Sequence, residues 1–175
     1  MHSTICTIGF AGKTAEEFFR LLQESGVKKV IDIREHRIGQ LSGFAKYPDL
    51  PFFLDRVAGI AYVHEPMLAP IPEIRKAYRK SKDWSAYESS FLQLMRGRGV
   101  PERIASSDFD GTVALLCSEP AAEKCHRRLV ADLLAEHWRA HGHFVDIRHL
   151  VLEKAPRKPR KKRETSGGDE KAPDQ

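Results

Sequence analysis

Val113-Ala-Leu-Leu-Cys-Ser-Glu-Pro-Ala-Ala-Glu-Lys-Cys-His-Arg-Arg-Leu-Val-Ala-Asp-Leu-Leu-Ala-Glu-His-Trp138 is the stretch whose reading decides the fold. Val113 to Cys117 is a short apolar run bounded by turn residues, the pattern of a buried strand. Pro120 suits the first turn of a following helix, where its missing N–H is no loss. Beyond it apolar residues recur in pairs at helical spacing: Leu129 with Val130, Leu133 with Leu134, His137 with Trp138. Four residues before the first pair stand Cys125 and His126. That places a thiol and an imidazole on the sheet-facing side, near the helix N-terminus and beside the strand end at Cys117. Two thiols, one imidazole, the Glu119 carboxylate and the Arg127 and Arg128 guanidiniums then converge, where a helix N-terminus favours anions and thiolates.

Working outward, Thr4–Gly9 is β-rich and reads as the first strand. Thr14-Ala-Glu-Glu17 is a capping box opening a helix that buries Phe18, Leu21 and Leu22 and stops near Gly26. Lys29–Arg34 is a second strand, Ile60–His64 a third, Thr112–Cys117 the fourth and Phe144–Leu152 a fifth. Helices are expected at Pro51–Ala58, Ile74–Lys80 and Trp84–Arg98, the last carrying Tyr87, Phe91, Leu94 and Met95 on one side. Strands alternating with helices predict an α/β fold: a single three-layer domain over residues 1–153, with a mainly parallel sheet of about five strands flanked by helices. In such sheets ligands bind outside the carboxyl ends of the strands. Those ends carry Gly9, Asp32 with Arg34, His64, and Cys117 with Glu119.

The 175 residues suffice for one domain with its own core. The net charge of +5 is concentrated: residues 154–175 hold eight Lys/Arg against four Asp/Glu, while the remainder is nearly balanced. Pro156–Arg163 is a proline-punctuated basic run, and the residues after it are Gly, Ser and charge, so a disordered basic tail is expected over 154–175. No apolar segment reaches bilayer-spanning length, no signal peptide is visible, and three cysteines make no disulfide framework. A cytoplasmic location without membrane association is the expectation.

Thr7-Ile-Gly9, the phenylalanine-bearing helix after it, Ile31-Asp-Ile-Arg34, Gly59-Ile-Ala-Tyr62 with His64, Phe91, Cys117-Ser-Glu119 and Cys125-His-Arg-Arg-Leu129 together resemble the family known as domain of unknown function 488, DUF488. The resemblance runs from about Thr4 to Leu150 and implies a single α/β domain, but no established reaction. Similar sequences continue Thr-Ile-Gly with His-Ser, where Phe10-Ala11 stands here. They carry a proline and a Ser-Arg pair where Glu35-His-Arg-Ile-Gly39 stands, and Leu-Gly-Gly where Met67-Leu-Ala-Pro70 stands.

The candidate catalytic residues are Cys125, His126, Glu119 and Cys117, and the candidate substrate-binding residues are Arg34, Arg127, His64, Gly9 and Asp32. Each has a plain structural reading. Cysteine is among the most buried residue types, so Cys117 at a strand end and Cys6 in mid-strand read as core. Cys125 differs, because a helix N-terminus beside His126 lowers a thiol pKa. A partly buried Arg127 needs an anionic partner, either Glu119 in an ion pair or a bound phosphate or carboxylate. Arg34 faces the same choice with Asp32 or Glu119.

No metal or cofactor is expected. Zinc on Cys117, Cys125, His126 and His64 is the alternative, against which stands a spacing that matches no finger or ribbon. A disulfide between Cys117 and Cys125 is geometrically conceivable. No Walker loop, dinucleotide fingerprint or zinc-protease helix occurs. The expected function is an enzyme acting on an anionic small molecule or nucleotide at the carboxyl edge of the sheet. Its alternative is a non-catalytic anion- or nucleic-acid-binding module, with residues 157–163 contacting nucleic acid non-specifically.

Overall fold

Residues 2–38 and 42–152 are described in the computed structural model of the chain. The expectations for residues 154–175 and for Gly39 lie outside the described residues. Strands β1 (His2–Gly9), β2 (Lys29–Asp32), β3 (Ala61–His64), β4 (Gly111–Cys117) and β5 (Phe144–His149) form one sheet in the order β3-β2-β4-β1-β5, with every neighbouring pair parallel. The central strands β1 and β4 are buried along almost their whole length, as strands covered on both faces must be.

Helices α1 (Ala15–Glu24) and α2 (Asp49–Phe53), the latter continuing as a π-helix over Leu54–Ala58, cover one face. There Phe18, Phe19, Leu22, Leu50 and Leu54 pack on Cys6, Ile8, Val30, Ala114 and Leu116. The α1 entry follows its capping box: Thr14 Oγ1 accepts from the Glu17 N–H, and Glu17 Oε2 from the Thr14 N–H. On the other face α4 (Trp84–Gly97) and α5 (His126–Ala140) bring Tyr87, Phe91, Met95, Val130, Leu134 and Trp138 onto Ile5, Ile31, Val113 and Leu115. Helix α3 (Pro72–Ser81) buries no residue fully and packs through Ile74 and Tyr78. The result is the expected three-layer α/β architecture.

Two readings of the deciding stretch are corrected. Pro120 does not open α5, which starts at His126 with Cys125 as its N-cap. The reason is Arg127, whose guanidinium takes hydrogen bonds to the carbonyls of Glu119 and Pro120 and so draws residues 118–124 into a loop around itself. The buried face of α5 is also turned. Arg127, Ala131 and Ala135 are buried with Leu129, Val130, Leu134 and Trp138, whereas Leu133 and His137 are half-exposed. Alanine is small enough to let the helix sit close to the sheet.

Strands β1 and β4 are neighbours in register, Gly9 beside Cys117, yet their chains leave in opposite directions. β1 is followed by α1 on one face, and β4 by α5 on the other. That divergence opens a crevice at their carboxyl ends, where ligands bind in sheets of this kind.

Candidate functional site

Gly9 sets the floor of this crevice. A Cβ on Gly9 would stand 1.7 Å from the Glu119 carbonyl oxygen and 2.9 Å from Arg127 Nη1. Only a residue without a side chain lets the loop after β4 close over the end of β1. Ala11 N–H donates to the Ser118 carbonyl and ties the two strand exits together.

Beneath the loop lies a fully buried guanidinium. Arg127 Nη1 donates to Cys117 Sγ at 2.8 Å and to the Glu119 carbonyl at 2.5 Å, and stands 3.5 Å from Cys125 Sγ; Nη2 donates to the Pro120 carbonyl at 3.3 Å. Its side-chain partners are therefore the two sulfurs. The Glu119 side chain is exposed, and Arg127 engages that residue through its backbone. The two sulfurs of Cys117 and Cys125 are 3.0 Å apart, and both thiols are free.

Two thiols in contact beside one buried cation share their protons unequally. A hydrogen bond from Cys117 is the largest influence bringing Cys125 down, to about 4, against the opposing effect of burial; His126 and Arg127 lower it further. Burial, and then the neighbouring Cys125 sulfur, push Cys117 well above the ordinary thiol range. Of the pair, Cys125 is the sulfur more readily ionised and Cys117 the one that burial keeps protonated. Burial alone would lower the Arg127 pKa, but the two sulfurs outweigh it and raise the value. Cys6, read as core, is buried in β1 and pushed up to about 11 by that burial.

His126 is oriented by the sheet. Its Nε2 lies 3.2 Å from the Ile33 carbonyl, and a carbonyl only accepts, so Nε2 carries the proton. Nδ1, 3.9 Å from Cys125 Sγ, is left to accept the thiol proton. Phe91 meets the ring edge-on at 5.9 Å.

A second buried network supports the next strand end. Arg34 holds Asp32 as a fork, Nε to Oδ1 at 2.7 Å and Nη2 to Oδ2 at 2.6 Å, with Nη1 on the Ala45 carbonyl at 2.9 Å. Arg34 therefore takes Asp32 as its partner, and not Glu119. Tyr62 Oη donates to Asp32 at 2.8 Å, and burial pushes that phenol up to about 12. His64 Nε2 donates to the Arg34 carbonyl at 2.8 Å. Phe10, one of the departures from the family pattern, lies under the Arg34 guanidinium at 5.2 Å, a cation–π contact.

Above these networks a cleft of about 700 Å³ opens. Cys125, His126, Glu119 and Arg34 line it. Cys117, Arg127, Asp32, His64 and Gly9 do not, and instead hold the shape and charge of its floor and flank. The opposite wall escaped the sequence reading. Arg75, Tyr78, Arg79 and Lys82 of α3 and the following turn face the cleft, with Trp84 and Tyr87 of α4 and Lys124 of the loop. Their signal was present, since positions 75, 78, 79 and 82 recur at helical spacing and share one face. Arg75 pairs with Glu35, another departure from the family pattern, while among the described residues Arg79, Lys82 and Lys124 enter no ion pair. Trp84 stacks on Tyr87 at 5.0 Å and Tyr87 on Phe91 at 6.1 Å, an aromatic wall beside the cations.

Among the described residues no group of three or more His, Cys, Asp and Glu side chains is placed to hold a metal, and no helix is long and apolar enough to cross a membrane. The Nε2 atoms of His64 and His126, two residues of the zinc alternative, are engaged by backbone carbonyls.

No curated protein and no solved structure matches the chain. The family model described as "Domain of unknown function DUF488" matches residues 14–134, from the capping box of α1 to the middle of α5 and so across the Cys117–Arg127 loop, and the chain belongs to the DUF488 family.

Proposed function

We propose that the cleft is an active site in which Cys125 acts as nucleophile on an anionic substrate, a nucleotide or another phosphate-bearing molecule. One observation carries this reading. A sulfur that meets a thiol, a guanidinium and an imidazole, and that ionises readily among them, lines a cleft carrying cations and aromatic rings. Buried structural cysteines are inert, whereas a low-pKa thiolate in an electropositive cleft has the surroundings of a reactive one.

Arg79, Lys82 and Lys124 would hold the anionic group, and Trp84 with Tyr78 would stack a planar one. His126 Nδ1 would hold the proton given up by Cys125 and return it to the leaving group, and Glu119, the exposed carboxylate of the cleft, would accept hydrogen bonds from the substrate. Arg34, locked to Asp32, presents a fixed guanidinium to the same space. A second reading drops the chemistry: the cleft binds the anion only, and the six cations of residues 157–163 contact nucleic acid.

Iodoacetamide labelling at neutral pH, mapped by mass, tests the proposal. Cys125 should label first, and ADP should protect it more than adenosine or inorganic phosphate alone. Protection by all three to the same small degree, or labelling of Cys125 no faster than Cys6, overturns it.

A further inference from the structure

We propose that Cys125 and Cys117 form a dithiol–disulfide redox couple, with Cys125 attacking a hydroperoxide and Cys117 resolving the product, so that the cleft also reduces peroxides. The inference rests on the reading above only in taking Cys125 as the sulfur that meets solutes. Its own observation is the pairing of the sulfurs. They are in contact at 3.0 Å, both free and both buried, but unequally placed: Cys125, 2 % exposed, lines the cleft, and Cys117, at 0 %, does not. An attacking sulfur at a cleft wall with a resolving sulfur in contact behind it is the arrangement that two-step thiol oxidation requires. The remaining cysteine, Cys6, belongs to the core on the opposite face of the sheet from α5 and takes no part.

The steps balance. The Cys125 thiolate attacks one peroxide oxygen; an S–O bond forms as the O–O bond breaks, and hydroxide leaves and takes up a proton to become water. Cys125 is then a sulfenic acid, oxidised by two electrons, and the peroxide is reduced by two. Cys117 next gives its proton to the departing oxygen while its sulfur attacks that of Cys125. The S–O bond breaks, the S–S bond forms, and a second water leaves. A dithiol reductant returns the pair by supplying two electrons and two protons.

The fold supports both halves of this cycle. Cys125 is the last residue before α5, at the end of the loop 118–124, so the movement that joins the sulfurs, about 1 Å, falls on a segment outside helix and strand. Oxidation also removes the thiolate beside Arg127, leaving that buried cation only the neutral carbonyls of Glu119 and Pro120. Reduction restores the anion. A disulfide whose reduced form is stabilised in this way is readily reduced, as a cycling bridge must be and a structural one is not.

The test treats the reduced full-length chain with stoichiometric hydrogen peroxide and follows its intact mass, with dimedone to trap sulfenic acid. The expected result is a loss of two hydrogens, a mapped Cys117–Cys125 peptide, and full recovery with dithiothreitol. Cys117→Ser should instead gain one oxygen and accumulate the dimedone adduct on Cys125, and Cys125→Ser should not react. If Cys117→Ser does not fold, the wild-type time course decides, because the dimedone adduct must precede the bridged peptide. Oxygen gain without hydrogen loss in the wild type, or a bridge through Cys6 or between chains, overturns the proposal. If no bridge forms while Cys125 still labels fastest and is protected by ADP, the redox couple falls and the active-site reading stands. If Cys125 is inert to iodoacetamide and peroxide alike, both fall.

Discussion

Replacing Arg127 with methionine removes the buried cation beside the two sulfurs while filling much of its volume, so the loss is electrostatic more than steric. The guanidinium donates to Cys117 Sγ and to the Glu119 and Pro120 carbonyls, and it faces the Cys125 sulfur at 3.5 Å. Breaking a buried charge pair by deleting one partner costs about 3–5 kcal/mol, because the other charge is left behind. Here the thiolate has an escape, since it can take up a proton, and that makes the cost depend on pH. Folded Cys125 sits at about 4, while an unfolded thiol sits near ~8.5. Between these values the unfolded chain binds the extra proton, so this group's stabilisation grows as pH rises. It is complete above the unfolded value and gone once pH falls through the folded one. Arg127→Met returns the thiol toward its ordinary range and flattens that slope. The expected stability difference from wild type is therefore largest near pH ~8.5, about 3–5 kcal/mol, and shrinks steadily toward pH ~5. Urea unfolding followed by the fluorescence of Trp84 and Trp138, at a series of pH values, measures it. A difference independent of pH, or one below about 1 kcal/mol at the alkaline end, would refute a charged sulfur–guanidinium pair.

Further outcomes follow from the same geometry. His126→Phe keeps a ring against Phe91 but deletes the Nδ1 facing Cys125, so the pH midpoint of iodoacetamide labelling should move up toward the free-thiol value; an unchanged midpoint would leave His126 without influence on the sulfur. Gly9→Ala drives a methyl group into the Glu119 carbonyl at 1.7 Å and should cost about 1–3 kcal/mol or more while disturbing Cys125 labelling; wild-type melting would show that the loop closes otherwise. Deleting residues 154–175 removes eight Lys/Arg, six of them within 157–163, and should abolish salt-sensitive binding of a random-sequence duplex in fluorescence anisotropy. If all six contact phosphates, the log–log salt slope of the full chain is near roughly −5; equal binding by the shortened chain would place the nucleic-acid surface on the folded part.

The sequence by itself determined the architecture of this protein, because hydrophobic periodicity is a local quantity. Val113–Cys117 announced a buried strand and Thr4–Gly9 a β-rich one, Thr14-Ala-Glu-Glu17 announced a helix start, and the alternation of such segments left a mainly parallel α/β sheet as the outcome. The strand ends at Gly9, Asp32, His64 and Cys117 were legible for the same reason. Strand order, by contrast, is set by which crossovers pack together, and no single segment carries that information. Only the tertiary structure put β1 beside β4, and with it Gly9 beside Cys117. Only the fold decided what each charged residue meets: Arg127 met sulfur and two backbone carbonyls, which outweighed the helix-opening preference of Pro120, and Arg34 met Asp32. The cationic face of α3 was visible as spacing but had no address until α3 and α4 packed across the crevice from Cys125. A periodic pattern tells which side of a segment is buried, and the identity of what it is buried against is a non-local fact that the assembled core supplies.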